Sequence, residues 1–130
     1  MPHILVIDDD KLVREATQIL LRARGYEVSV AADGKSGIAA AEAGRFDVVI
    51  VDLFMPEMDG LSVMRAIRRA KPTMPMIAAS GFMLGGRCES MPGFEDMVSE
   101  AGAACALYKP FKPDEIFQAI EKAMTTAAAT

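Results

Sequence analysis

Apolar residues fall along the chain in two arrangements, short unbroken runs and sets spaced three to four residues apart. Ile4, Leu5, Val6 and Ile7 form a run ended by Asp8, the pattern of a strand buried on both faces. The period then changes. Leu12, Val13, Ala16, Ile19, Leu20 and Ala23 recur at helical spacing and predict one buried helix face, with Asp10 as N-cap and Gly25 as the stop. Val28 to Ala31 reads as a second strand, followed by a small-residue helix through Ala39, Ala40 and Ala41 that ends near Gly44. Asp47 to Asp52 is the clearest strand. Asp59 then caps a helix with Leu61, Met64 and Ile67 inward, ended by Lys71-Pro72. Met76 to Ala79 predicts a fourth strand, Phe94, Met97, Val98 and Ala101 a helical face, and Ala104 to Tyr108 a fifth strand. Pro113 opens a last helix with Ile116, Phe117, Ile120, Ala123 and Met124 on one side.

Five strands alternating with five helices predict an α/β, doubly wound fold, because parallel strands need crossovers and crossovers are right-handed. The 130 residues are one domain's worth of chain; residues 1–124 are expected to form it and 125–130 a short tail. A net charge of -4 carries no electrostatic footprint for direct nucleic-acid binding. No apolar run approaches the roughly 18 residues of a membrane span, and no signal peptide is visible. Cys88 and Cys105 are therefore expected as two reduced thiols in a cytoplasmic protein. With His3 they are too few for a sulfur-type zinc site.

Ligands of open α/β sheets bind outside the carboxyl ends of the strands. Those ends carry Asp8-Asp9-Asp10, Asp52, Ser80 and Lys109-Pro110. Carboxylates crowded at one edge repel one another unless a cation lies between them. Mg²⁺ suits such a cluster, since it takes one or two carboxylates and keeps water and phosphate oxygens as its other ligands. A lysine and a hydroxyl nearby can hold a transferring phosphoryl group while a carboxylate acts as nucleophile. Acid directly after the first strand argues against a dinucleotide or P-loop site, which would place glycines there.

Four segments together, Val6-Ile7-Asp8-Asp9-Asp10, Val51 to Gly60, Ala79-Ser80-Gly81 and Lys109-Pro110-Phe111, closely resemble the receiver domain of two-component response regulators, over nearly the whole chain. The resemblance is to the stand-alone, chemotaxis-type form. It implies a flavodoxin-like sheet of order 2-1-3-4-5. It further implies that Asp52 is the phosphoacceptor, that Asp9, Asp52 and the backbone carbonyl of Phe54 bind Mg²⁺, and that Asp8 acts through water. Ser80 would bond the phosphoryl group and shift the loop after strand four. Lys109 would pair with the aspartates and then the phosphate, and the Lys109-Pro110 bond would be cis, as proline permits. His3 stands five residues before Asp8, roughly 16 Å away along the strand, so it is not a phosphodonor within the chain. The phosphoryl group is expected from a sensor histidine kinase, a phosphotransfer protein or a small acyl phosphate, and the output through a downstream protein.

Ala106 occupies the position, three before Lys109, where the family often carries an inward-turning Tyr or Phe. Tyr108 lies on the same strand face by the period of two and is the candidate substitute in a non-standard switch. The segment from Gly81 to Pro92 is longer than in a typical receiver and mixes Phe82, Met83, Leu84 and Met91 with glycines, so it is expected to form a flap or part of the partner surface. Two other readings stand beside the switch. One is a pseudo-receiver that binds partners without phosphorylation. The other is a Mg-dependent phosphohydrolase of the haloacid-dehalogenase type, whose nucleophile would be Asp8.

Overall fold

The computed structural model describes residues 2–55, 58–80, 82–83, 86–87, 94–108 and 111–128. The elements are β1 (His3–Ile7), α1 (Lys11–Ala23), β2 (Glu27–Ala31), α2 (Gly34–Ala43), β3 (Val48–Asp52), α3 (Gly60–Ala70), β4 (Met76–Ser80), β5 (Phe82–Met83), β6 (Gly86–Arg87), α4 (Phe94–Glu100), β7 (Ala103–Tyr108) and α5 (Pro113–Ala128). Five parallel strands form one sheet in the order β2-β1-β3-β4-β7, the order 2-1-3-4-5 of the expected flavodoxin-like fold.

Strand alternation divides the core in two. Ile4 and Val6 of β1 face a cluster closed by α1 and α5, with Leu21, Ile50, Ile77, Leu107, Ile116 and Ile120. Leu5 and Ile7 face the opposite cluster, closed by α2, α3 and α4, with Ala41, Val49, Val51, Val63, Met64, Ile67 and Val98. The β1 and β3 runs are continuous because both of their faces are covered.

β5 and β6 pair antiparallel, Phe82 with Arg87 and Met83 with Gly86, so the segment expected as a long loop contains a short hairpin. The rest of residues 81–92, on which the flap expectation also falls, lies outside the described residues.

One predicted face is corrected. In α1 the buried side chains are Thr17 and Leu21, with Val13, Arg14 and Leu20 half-buried. Leu12 is 76% and Ile19 71% exposed, and Ala16 and Ala23 are exposed as well. At 100° per residue the apolar positions of α1 cover an arc from Leu21 past Val13 and Leu20 to Ile19, wider than the sheet can bury. Anchors outside the pattern fix the rotation. Arg14 Nη1 donates to the Asp8 carbonyl at 2.8 Å, and the Arg24 guanidinium lies 4.5 Å from the centre of the Phe117 ring on α5. In α3, Val63 is buried beside Met64 and Ile67, while Leu61 is half-buried.

Candidate functional site

The site is built by three strand ends. Beyond β1, the Asp8 N–H donates to the Ala31 carbonyl (3.1 Å), which carries the ladder one residue past the strand. Asp8 Oδ1 then accepts from the Asp10 N–H (2.9 Å) and turns the chain toward α1. Asp10 caps that helix, its Oδ1 accepting from the N–H groups of Leu12 (2.9 Å) and Val13 (3.3 Å). The three consecutive aspartates thus divide their work: Asp8 is buried, Asp9 exposed, and Asp10 committed to the helix.

β3 delivers Asp52 in a buried position, where its Oδ1 accepts from the Phe54 N–H (3.2 Å). The following residue stays in the sheet, since the Leu53 N–H donates to the Ala79 carbonyl (2.8 Å) and its own carbonyl accepts from the Gly60 N–H (3.0 Å). A Cβ at Gly60 would overlap the Asp52 carbonyl oxygen and lie 2.5 Å from Leu53 Cα. Only glycine lets α3 start this close to the strand end. Asp59 caps α3 through the Ser62 N–H (2.9 Å) and hydroxyl (3.0 Å), and the Ser62 N–H is the main cause that holds the Asp59 carboxyl below its ordinary pKa.

One carboxylate oxygen from each of Asp8, Asp9 and Asp52 lies within 4.8 Å of the others. All three are hard donors, the chemistry Mg²⁺ selects, and the exposed Asp9 leaves a side open to water and substrate oxygens. The residues fit the metal. β4 ends beside this cluster, with Asp52 in register with Ala79 and Ser80 in register with Tyr108. Ser80 is 1% exposed and its Oγ has no hydrogen-bond partner among the described residues. A buried hydroxyl without a partner costs free energy, so its retention next to three carboxylates marks a place for an oxygen-rich ligand.

Lys109 and Pro110, and with them the expected lysine pairing and cis bond, lie outside the described residues. Ala106 and Tyr108 are half-buried, both against the cluster under α2, α3 and α4, and so share the strand face assigned to them. His3 lies at the amino end of β1, where its Nε2 is 2.7 Å from Ser29 Oγ and its ring centre 4.6 Å from that of Phe46. Two contributors were not legible in the sequence. Arg14 brings a guanidinium to the Asp8 carbonyl, and its spacing from Asp10 was the only available signal. Gly60 closes the Val51 to Gly60 segment, but nothing in the sequence tells why a glycine stands there; the close approach of α3 to the end of β3 does.

Among the described residues no helix is long and apolar enough to cross a membrane. An open parallel sheet with an acidic cluster at its carboxyl edge defines a doubly wound α/β fold whose chemistry sits beyond β1, β3 and β4. The family model for the response regulator receiver domain matches residues 4–121, and the chain belongs to that family. It is 40% identical over 111 residues to the transcriptional regulatory protein CseB of Streptomyces avermitilis, covering 84% of this chain and 43% of that protein. The chain therefore spans less than half the length of that relative. Among solved structures it resembles a CheY-like receiver domain protein of Methanospirillum hungatei, with a TM-score of 0.87 and 25% identity over 99% of this chain and 98% of the other. It also resembles the receiver domain of the sensor histidine kinase PA1611 of Pseudomonas aeruginosa, with magnesium coordinated in its active-site cleft (TM-score 0.81, 28% identity, 95% of this chain and 98% of that one). Receiver domains are signalling phosphoacceptors that work with histidine kinases or phosphotransfer proteins and bind Mg²⁺ at an acidic pocket.

Proposed function

We propose that this chain is a phosphorylation-controlled switch in which Asp52 accepts a phosphoryl group from a sensor histidine kinase, a phosphotransfer protein or a small acyl phosphate. The observation that carries the reading is the convergence of Asp8, Asp9 and Asp52 oxygens within 4.8 Å beside the buried Ser80 hydroxyl, which has no partner among the described residues. An Asp52 carboxylate oxygen attacks phosphorus; the O–P bond forms as the donor's N–P or acyl O–P bond breaks, and the imidazole or carboxylate leaves with the bonding electron pair. The Phe54 N–H donates to Oδ1 and helps hold the carboxylate's rotamer. The Ser80 hydroxyl donates to a phosphoryl oxygen, and Lys109 neutralises another.

Asp9, Asp52 and the Phe54 backbone carbonyl would hold Mg²⁺, with Asp8 acting through water. When bound, the ion supplies charge neutralisation for the phosphoryl oxygens. The added phosphoryl charge engages Ser80 at the end of β4, directly before the β5–β6 hairpin, and biases two pre-existing arrangements of that surface toward one partner-binding form. Tyr108, on the Ala106 face of β7, is the side chain proposed to report the shift.

Intact-mass measurement after incubation with acetyl phosphate, with and without Mg²⁺, tests the reading on the wild type, Asp52→Ala, Asp8→Ala and Ser80→Ala. The expected result is one labile phosphoryl adduct that requires Mg²⁺ and Asp52 and forms more slowly without Ser80. No adduct would make the chain a pseudo-receiver, and turnover that needs Asp8 but not Asp52 would make it a phosphohydrolase.

A further inference from the structure

At the amino-terminal edge of the sheet, opposite the acidic cluster, we infer a second binding site, a basic cleft between α3 and α4 that takes a nucleoside phosphate. The inference does not rest on the phosphoryl chemistry of Asp52.

The cleft consists of two adjoining cavities. One, of about 430 Å³, is lined by Arg65, Arg68 and Arg69 of α3, by Pro72, and by Glu100 and Ala101 at the end of α4. The other, of about 400 Å³, runs past the starts of β4 and β7, from Met74 and Met76 to Ala123 of α5. Arg68 and Pro72 line both, so the two share a wall. The strand length puts this edge roughly 16 Å from the carboxyl ends.

The three arginines stand at i, i+3 and i+4 on one face of α3, a spacing at which like charges repel. Nothing on the helix offsets them, since Gly60–Ala70 contains no acidic residue. No carboxylate among the described residues forms an ion pair with any of the three, and the single Glu100 across the cavity leaves it net positive. The helix dipole favours Arg68 and Arg69 in the last turn, but not Arg65 a turn earlier. Lys71, by contrast, is committed to the Gly44 carbonyl, 2.6 Å from its Nζ. The repulsion among the arginines is relieved by an anion.

Arg68 is held at the shared wall. Gly102 has a φ of +116°, and a Cβ there would lie 3.0 Å from Arg68 Cδ and 3.3 Å from its Nη1. Glycine thus permits the turn after α4 and lets the Arg68 side chain lie across it. A guanidinium in that place grips phosphate oxygens on one side and offers its plane to a ring on the other.

Charge and shape together name the ligand class. Apart from Arg68 the second cavity is uncharged, with Met74 and the buried Met76 as a polarizable shelf and the hydroxyls of Thr73 and Ser99 beside it. An anion with a flat, neutral body fits this succession: phosphates on the arginines, the base on the methionines. A nucleic-acid strand would need the basic surface to continue.

Isothermal titration calorimetry on the intact chain tests the site, with ADP, pyrophosphate and adenosine as probes and EDTA present so that no metal bridges phosphate to the acidic cluster. ADP is expected to bind with a Kd between about 10 µM and 1 mM, and pyrophosphate and adenosine each about tenfold more weakly. Arg68→Ala weakens ADP binding by about tenfold or more. Arg65→Ala and Arg69→Ala weaken ADP and pyrophosphate alike, whereas Met74→Ala weakens ADP and leaves pyrophosphate unchanged. Unchanged thermal melting shows that each variant is folded. No binding of ADP up to about 1 mM overturns the inference. So does equal affinity for ADP and pyrophosphate, which would reduce the cleft to a patch of charge, or ADP binding that survives Arg68→Ala.

Discussion

α1 and α5 cover the same face of the sheet, and the sequence pattern promised the same of both, one apolar side turned inward. In α5 the promise holds: Ile116, Phe117, Ile120 and Ala123 are buried. In α1 the core takes Thr17 and Leu21, while Leu12 and Ile19 face outward. The difference lies in the width of the apolar arc. The α5 stripe is bounded by exposed Lys112, Glu115, Gln118, Glu121 and Lys122, so only one rotation buries it. The apolar arc of α1 admits several rotations, and polar anchors choose among them. Periodicity thus locates a helix and its apolar side, yet selects the buried half only where the apolar arc matches the contact.

The largest expected effect is the contrast between the two sides of α1. Leu21→Ala, like Ile120→Ala in α5, should cost about 2–5 kcal/mol in urea unfolding, the usual price of a large buried side chain. Leu12→Ala and Ile19→Ala should stay within about 0.5 kcal/mol, as surface changes do. An Ile19→Ala loss as large as that of Leu21→Ala would mean α1 is rotated in solution.

The caps come next. Asp10→Ala removes the acceptor for two α1 N–H groups and should cost about 1 kcal/mol. α5 opens differently, with Glu115 Oε1 accepting from the Lys112 N–H at 2.8 Å, half of a capping box. Glu115→Ala should therefore cost less than Asp10→Ala, and the reverse order in thermal melts would show that the α5 entry is the tighter one.

A double-mutant cycle on Arg24→Ala and Phe117→Leu sharpens the link between the two helices. The cation–π contact should give a coupling of about 0.5–1 kcal/mol, and additive losses would show that Arg24 does not anchor α1 to α5.

The smallest effect is alkaline. Burial first, then the charge of Glu121 on α5, raises the Tyr26 pKa above its ordinary 10.0. The folded state then holds the phenolic proton more tightly than the unfolded chain. That contribution is present below the ordinary tyrosine pKa and lost as pH rises through the folded one. Tyr26→Phe should flatten the decline of stability above about pH 10; an unchanged slope would assign the decline to other groups.

Much of the candidate site was legible because chain order places it. Once the strands were recognised, Asp8, Asp9, Asp52 and Ser80 had to fall at carboxyl ends of a parallel sheet, whatever the packing between them. What each does there was less legible. Three consecutive aspartates look alike in sequence, yet hydrogen bonds commit Asp10 to α1 and leave Asp8 and Asp9 beside Asp52.

The sequence by itself determined the order of elements, the parallel sheet, the face of α5 and the carboxylates of one edge, because these follow from periods of two and 3.6 and from chain direction. Tertiary structure alone decided the rotation of α1, the reach of Arg14 to the Asp8 carbonyl, the fit of Gly60 against the end of β3, and the antiparallel pairing of β5 with β6. Each of these depends on distances between segments remote in the chain or on competition among nearly equal local choices, and neither is written into the spacing of residues.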